Sequence, residues 1–152
     1  MQIEEIMKPG ITGFIRYPDK FDEQDSKEFE MYLYQVLNWN KGKVIFKELL
    51  ANNKNFFTYL IELNHKEYYL LSNSTYPLLA FASSVDYSGI IFIDPIDIFD
   101  TSLPNPYKIL NKELLNKPIE IYDLERLRDY EIKNLKYWNP KTIGEVVFNY
   151  WD

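Results

Sequence analysis

Two runs confine this chain more tightly than anything else in it: FFTYLIEL at 56–63 and EYYLLS at 67–72, separated by Asn64, His65 and Lys66. Both are dense in aromatic and β-branched side chains, which suit a pleated surface. A tight polar turn between two such runs predicts an antiparallel hairpin. PLLAFASS (77–84) and GIIFID (89–94) have the same character, so they extend the hairpin into a sheet of four or five strands. Pro77 opens its run, where the missing N–H removes no interior ladder bond. Whatever else the chain forms must pack on this sheet.

The flanks supply the packing. ITGFIR (11–16) reads as a short strand, and the acidic stretch that follows it as a loop. Ser26 is placed to cap a helix running to about Leu37, because Phe29, Leu33, Val36 and Leu37 recur at helical spacing. Residues 41–53, KGKVIFKELLANN, fit a short helix or a strand, and helix is the preferred reading. After the proline-containing loop TSLPNPY, YKILNKELL predicts a short helix; DLERLRDYEIKNL (123–135) predicts another, with Asp123 as N-cap. Neither a compositional break nor an internal repeat divides the chain. The expectation is one α+β domain over residues 1–152, with helices on one face of an antiparallel sheet.

The stretch YWNPKTIGEVVFNYWD (137–152) is the densest cluster of aromatic and β-branched residues in the chain. Pro140 suits a helix start, and Ile143, Val146, Val147 and Tyr150 fall on one helical stripe. Phe148 and Trp151 lie off that stripe, so a helix here is apolar around more than half its girth and must be buried. Gly144 inside it points to close backbone packing.

Charge and composition exclude several functions. The net charge is −6, which disfavours nonspecific nucleic-acid binding and favours a basic partner. The chain has no Cys, so disulfides, thiol nucleophiles and thiolate metal sites are excluded. The start MQIEEIMKPG lacks the pattern of a signal peptide, and no run reaches the roughly 18 apolar residues of a membrane span. A cytoplasmic location is expected, with no membrane partner.

Catalytic signatures are missing as well. His65 is the single histidine and falls in a predicted turn, too little for a nucleophilic triad or a zinc site. Glycines are scattered and make no phosphate-cradling loop. Glu62 and Glu67 fall where a hairpin would bring them near one another, but nothing marks either as an acid catalyst. Asp94, Asp97 and Asp100 in DPIDIFD are the most suggestive carboxylates for an enzyme with a divalent-metal site. Their spacing matches no calcium loop, and the default is a solvated loop, with no cofactor.

The charge distribution is more informative. Residues 67–107 contain no Lys or Arg but carry Glu67, Asp86, Asp94, Asp97 and Asp100 among eight aromatic residues, Tyr87 included. Aromatic anchors rimmed by carboxylates make a docking face for a basic protein. Glu67, Asp86, Tyr87, Asp94, Asp97 and Asp100 are therefore the candidate partner-binding residues. A second acidic group, Asp22, Glu23, Asp25 and Glu28, reads as solvated surface. A general protein-binding scaffold shares these features.

The ending WNPKTIGEVVFNYWD (138–152) resembles the C-terminal signature of small bacterial immunity proteins of polymorphic toxin systems. Beyond these residues the likeness extends to length, acidity, aromatic richness and a central hairpin before a helical end. The resemblance implies a non-catalytic cytoplasmic inhibitor that binds a cognate toxin domain, commonly a basic nuclease, and covers its active site. It implies no interface residues, because the matched stretch looks structural.

Overall fold

The computed structural model describes residues 2–16, 18–20, 23–49, 54–102 and 106–151, with the backbone alone at 100–102. The predicted hairpin is its centre. Strand β2 (Phe56–Leu63) pairs with β3 (Lys66–Asn73) in unbroken antiparallel register from Phe56↔Asn73 to Leu63↔Lys66. The turn is two residues, Asn64 and His65, both at positive φ (52° and 64°). Two left-handed residues match the twist of the flanking strands, and Asn and His tolerate that region better than most. Strands β4 (Leu78–Asp86) and β5 (Gly89–Ile93) extend the sheet as expected.

The α+β class holds, and the described strands form a six-stranded sheet. Its order is β1-β2-β3-β4-β5, and the short β6 (Lys108–Ile109) runs parallel to Leu78 and Leu79 of β4. Strand β1 (Lys43–Glu48) corrects the helical reading of 41–53. Val44, Ile45 and Phe46 favour a strand, and the backbone edge of β2 offers a ladder that local propensity cannot outweigh. Residues 50–53 of that stretch lie outside the described residues.

Both faces of the sheet are covered, whereas helices on one face were expected. Phe57, Tyr59, Ile61, Leu63, Leu70, Leu79 and Phe81 pack with Phe29, Leu33, Val36 and Leu37 of helix α1 (Ser26–Trp39) and with Phe99 of α2 (Asp97–Ser102). Phe56, Leu71, Leu78, Ala80, Ala82 and Phe92 face the other way. They pack with Ile6, Met7 and Ile11, and with α3 (Lys112–Leu115), α4 (Asp129–Trp138) and α5 (Ile143–Val147). A strand buried on both sides reads as a continuous apolar run, and FFTYLIEL is one.

Other boundaries move for identifiable reasons. Asp25, not Ser26, caps α1: its Oδ1 accepts the N–H of Lys27 (3.0 Å) and Glu28 (3.3 Å). The expected helix 107–115 is β6 followed by the single-turn α3. The helix expected over 123–135 divides into a 3-10 turn at Ile121–Leu124 and α4. Asp123 accepts the Glu120 N–H (2.8 Å) inside that turn instead of capping a helix.

Residues 11–16 form no strand. Gly10 and Gly13 adopt positive φ (97° and 79°), and the irregular segment buries Ile11 and Thr12 before it emerges at Ile15 and Arg16. Buried side chains satisfy its backbone: Asn55 and Asn73 Nδ2 each donate to the Ile11 carbonyl (3.1 Å), and Trp151 Nε1 donates to that of Thr12 (2.8 Å). Glu131, fully buried, accepts from Gly10 N (3.2 Å) and Thr12 Oγ1 (2.5 Å). Unpaired buried backbone groups are costly, so these side chains stand in for a missing strand partner.

The C-terminal stretch departs from a full-length helix. Thr142 and Glu145 form a capping box, α5 lasts five residues, and the chain turns extended at Phe148. Asn55 Nδ2 takes the Val146 carbonyl (2.9 Å) and Asn73 Nδ2 that of Val147 (2.8 Å), so the last helical carbonyls are satisfied without another turn. The extended exit explains how Phe148 and Trp151, off the helical stripe, both become buried.

Candidate partner-binding cleft

The β4–β5 hairpin and the chain's last residues come together. A β-bulge between Ala82 and Ser84 bends β4, as bulges do, and its tip at Asp86–Gly89 lies against residues 145–150. Between them is a cleft of ≈ 130 Å³ lined by Asp86, Tyr87, Phe92, Glu145, Asn149 and Tyr150. The Tyr87 and Tyr150 rings lie with centroids 4.6 Å apart, and Tyr150 meets Phe56 edge-on at 5.2 Å. Tyr150 is thus backed by the core, whereas Tyr87 is 77% exposed.

Carboxylates stand on both sides of the tyrosine pair. Asp86 Oδ1 accepts the Ser88 hydroxyl and the Ser88 N–H (2.8 Å). These hydrogen bonds hold the Asp86 carboxyl below its ordinary pKa, so it stays negative through neutral pH. On the other wall Glu145 accepts the N–H of Lys141 (2.5 Å) and Thr142 (3.3 Å) through Oε2. Burial first, and then the nearby Glu48 carboxylate, push the Tyr150 phenol up to about 12, so it remains a neutral hydrogen-bond donor. The cleft therefore offers aromatic faces and fixed negative charge, a combination that attracts a guanidinium or ammonium group.

The six residues singled out from the sequence do not share one face. Asp86 and Tyr87 sit in the cleft. Glu67 is exposed at the start of β3, directly opposite Glu62 across the β2–β3 hairpin. Asp94 and Asp97 follow the other end of β5: Asp94 Oδ1 accepts the Lys112 N–H (3.2 Å) at α3, and Asp97 opens α2 on the surface. The Asp100 side chain lies outside the described residues, as does Asp22. Charge proximity along the chain did not become proximity in space, because β5 separates Asp86 from Asp94.

Sequence reasoning missed Glu145, Asn149 and Tyr150, which the ending contributes to the cleft. Their only signal was the polar Glu145 and Asn149 among apolar neighbours. Among the described residues no three His, Asp or Glu side chains gather as metal ligands. No helix there is long and apolar enough to cross a membrane. Comparison with known protein families, curated proteins and solved structures finds no match to this chain.

Proposed function

We propose that this chain is a non-catalytic immunity protein that binds a basic toxin domain, and that the cleft between the β4–β5 hairpin and residues 145–150 is its docking point. The observation that carries this reading is the tyrosine pair, Tyr87 on Tyr150, set between Asp86 and Glu145. A cleft of ≈ 130 Å³ suits the head of one basic side chain: the rings supply contact area and cation–π attraction, and the carboxylates supply charge. The net charge of −6 steers a basic partner from a distance. The likeness of residues 138–152 to immunity-protein endings supports the immunity reading without marking any interface residue.

The test is capture with the full chain as bait from lysate of its source organism, at low and high salt, beside the variants Asp86→Asn and Tyr87→Ala. The expected result is one basic protein, held less well at high salt, toxic when expressed alone and neutralised by co-expression. Both variants should lose it while keeping the wild-type melting temperature. Equal capture by wild type and variants moves the interface elsewhere on the molecule. Several partners held weakly identify a scaffold instead.

A further inference from the structure

The chain carries 17 basic residues, of which only Arg16, Arg126 and Arg128 are arginine. All three line one depression of ≈ 360 Å³, together with Asp19, Asp129 and Tyr130. They arrive from segments 110 positions apart: Arg16 from the irregular N-terminal segment, Arg126 and Arg128 from the link into α4. Arg126 is held in place by its Nη1 bond to the Glu4 carbonyl (2.8 Å), and the Arg16 guanidinium lies 4.9 Å from the Tyr130 ring centroid. Among the described residues none of the three makes an ion pair. With two aspartates in the rim, the depression is formally +1 on a protein of −6.

A second observation points the same way. Tyr130 is 7% exposed, and among the described residues its buried hydroxyl makes no well-aligned hydrogen bond, although the Asp19 carboxylate and the Arg16 backbone approach it. Buried polar groups are nearly always paired, so a hydroxyl this loosely held on the wall of a depression has a donation to give to a ligand atom. Burial first, and then the Asp19 and Glu131 carboxylates, raise its pKa, so it is present as a donor. The nearby Glu131 does not need the arginine side chains, because Gly10 N, Thr12 Oγ1 and Arg128 N already serve its oxygens.

We infer that this depression binds an oxyanion, a phosphoryl or carboxylate group, clasped by Arg16, Arg126 and Arg128 and completed by the Tyr130 hydroxyl. Guanidinium forks match the oxygens of either group in pairs, which a lysine ammonium cannot do. The site is separate from the cleft proposed for protein docking and does not depend on that reading.

The test is an amide chemical-shift titration of the full chain with inorganic phosphate and, separately, acetate, at constant ionic strength set with chloride. Saturable shifts at Arg16, Asp19 and residues 126–130 are expected with at least one anion, and the tighter one identifies the group. Arg16→Gln and Arg126→Gln, both at exposed positions, should each weaken binding by about tenfold, the usual loss for one charge-assisted hydrogen bond. Tyr130→Phe should weaken it with the fold retained. The inference is overturned if neither anion gives saturable shifts there, or if the arginine variants bind as wild type does.

Discussion

Asn73 is the place where one atom decides the most. Its side chain is fully buried in the wall between the sheet and the two chain ends. Nδ2 donates to the carbonyls of Ile11 (3.1 Å) and Val147 (2.8 Å), while Oδ1 accepts the N–H of Thr75 (2.9 Å) and Tyr76 (3.0 Å). Asn73→Asp preserves shape and the two accepted bonds, but sets a carboxylate oxygen against two carbonyl oxygens. An ionised oxygen there is so unfavourable that the folded protein instead takes up a proton. Near pH 7 that costs about 4 kcal/mol, roughly three units above an unfolded Asp pKa of about 3.9. The protonated oxygen recovers one of the two lost donations, and the other costs about 1 kcal/mol. The total of about 5 kcal/mol equals the whole stability of a marginal domain. The sign follows from a folded pKa raised above the unfolded one. The penalty is nearly absent below about pH 4 and grows as pH rises toward the folded value. Urea denaturation of wild type and variant near pH 7 and near pH 4 reads the difference directly. The gap should narrow by about 4 kcal/mol on acidification. A gap that is the same at both pH values, or below about 0.5 kcal/mol near neutrality, refutes the claim that this amide ties the chain ends to the sheet.

Trp151→Ala should cost about 3–5 kcal/mol in the same assay, because the ring is 4% exposed and packs 4.8 Å from Phe14. Trp151→Phe should cost less than Trp151→Ala; equal costs would deny the ring packing any part. Gly144→Ala should destabilise by about 1–3 kcal/mol despite the better helix propensity of alanine, since its Cβ would lie 2.4 Å from Phe92 Cε2 and 2.9 Å from the Leu115 carbonyl. A more stable Gly144→Ala would show that α5 sits further from the sheet. At alkaline pH, burial raises the phenols of Tyr59, Tyr107 and Tyr150, the last two to about 12. Their contribution to stability is complete below about pH 10, the unfolded value, and is lost as pH climbs toward the folded values. Circular dichroism and tyrosinate absorbance, followed together, should show ionisation of these rings accompanying unfolding; their ionisation in a folded chain would contradict the burial argument.

Local pattern was enough wherever an element's residues answered to their own neighbours. Phe29, Leu33, Val36 and Leu37 recur at helical spacing and pack as α1. The β2–β3 and β4–β5 hairpins likewise follow from β-rich runs around short turns. Asp86 and Tyr87 were legible as a charged and aromatic exposed turn, and the structure places both in the cleft. Glu67 and Asp94 carried the same marks, but strand direction sends them away from the cleft.

What the sequence by itself determined is the antiparallel sheet, the helix α1 against it, and the acidic, aromatic, cysteine-free character that narrows the functions open to the chain. Only the tertiary structure decided the rest. It made 43–48 a strand, because an unpaired sheet edge outweighs a weak helical preference. It left 11–16 irregular and ended α5 early, because Asn55, Asn73, Glu131 and Trp151 satisfy backbone groups far from them in sequence. It also set Tyr150 beside Tyr87 and Arg16 beside Arg126 and Arg128. Both candidate sites are made from chain segments many residues apart, and neighbour-to-neighbour periodicity carries no information about which distant segments will meet.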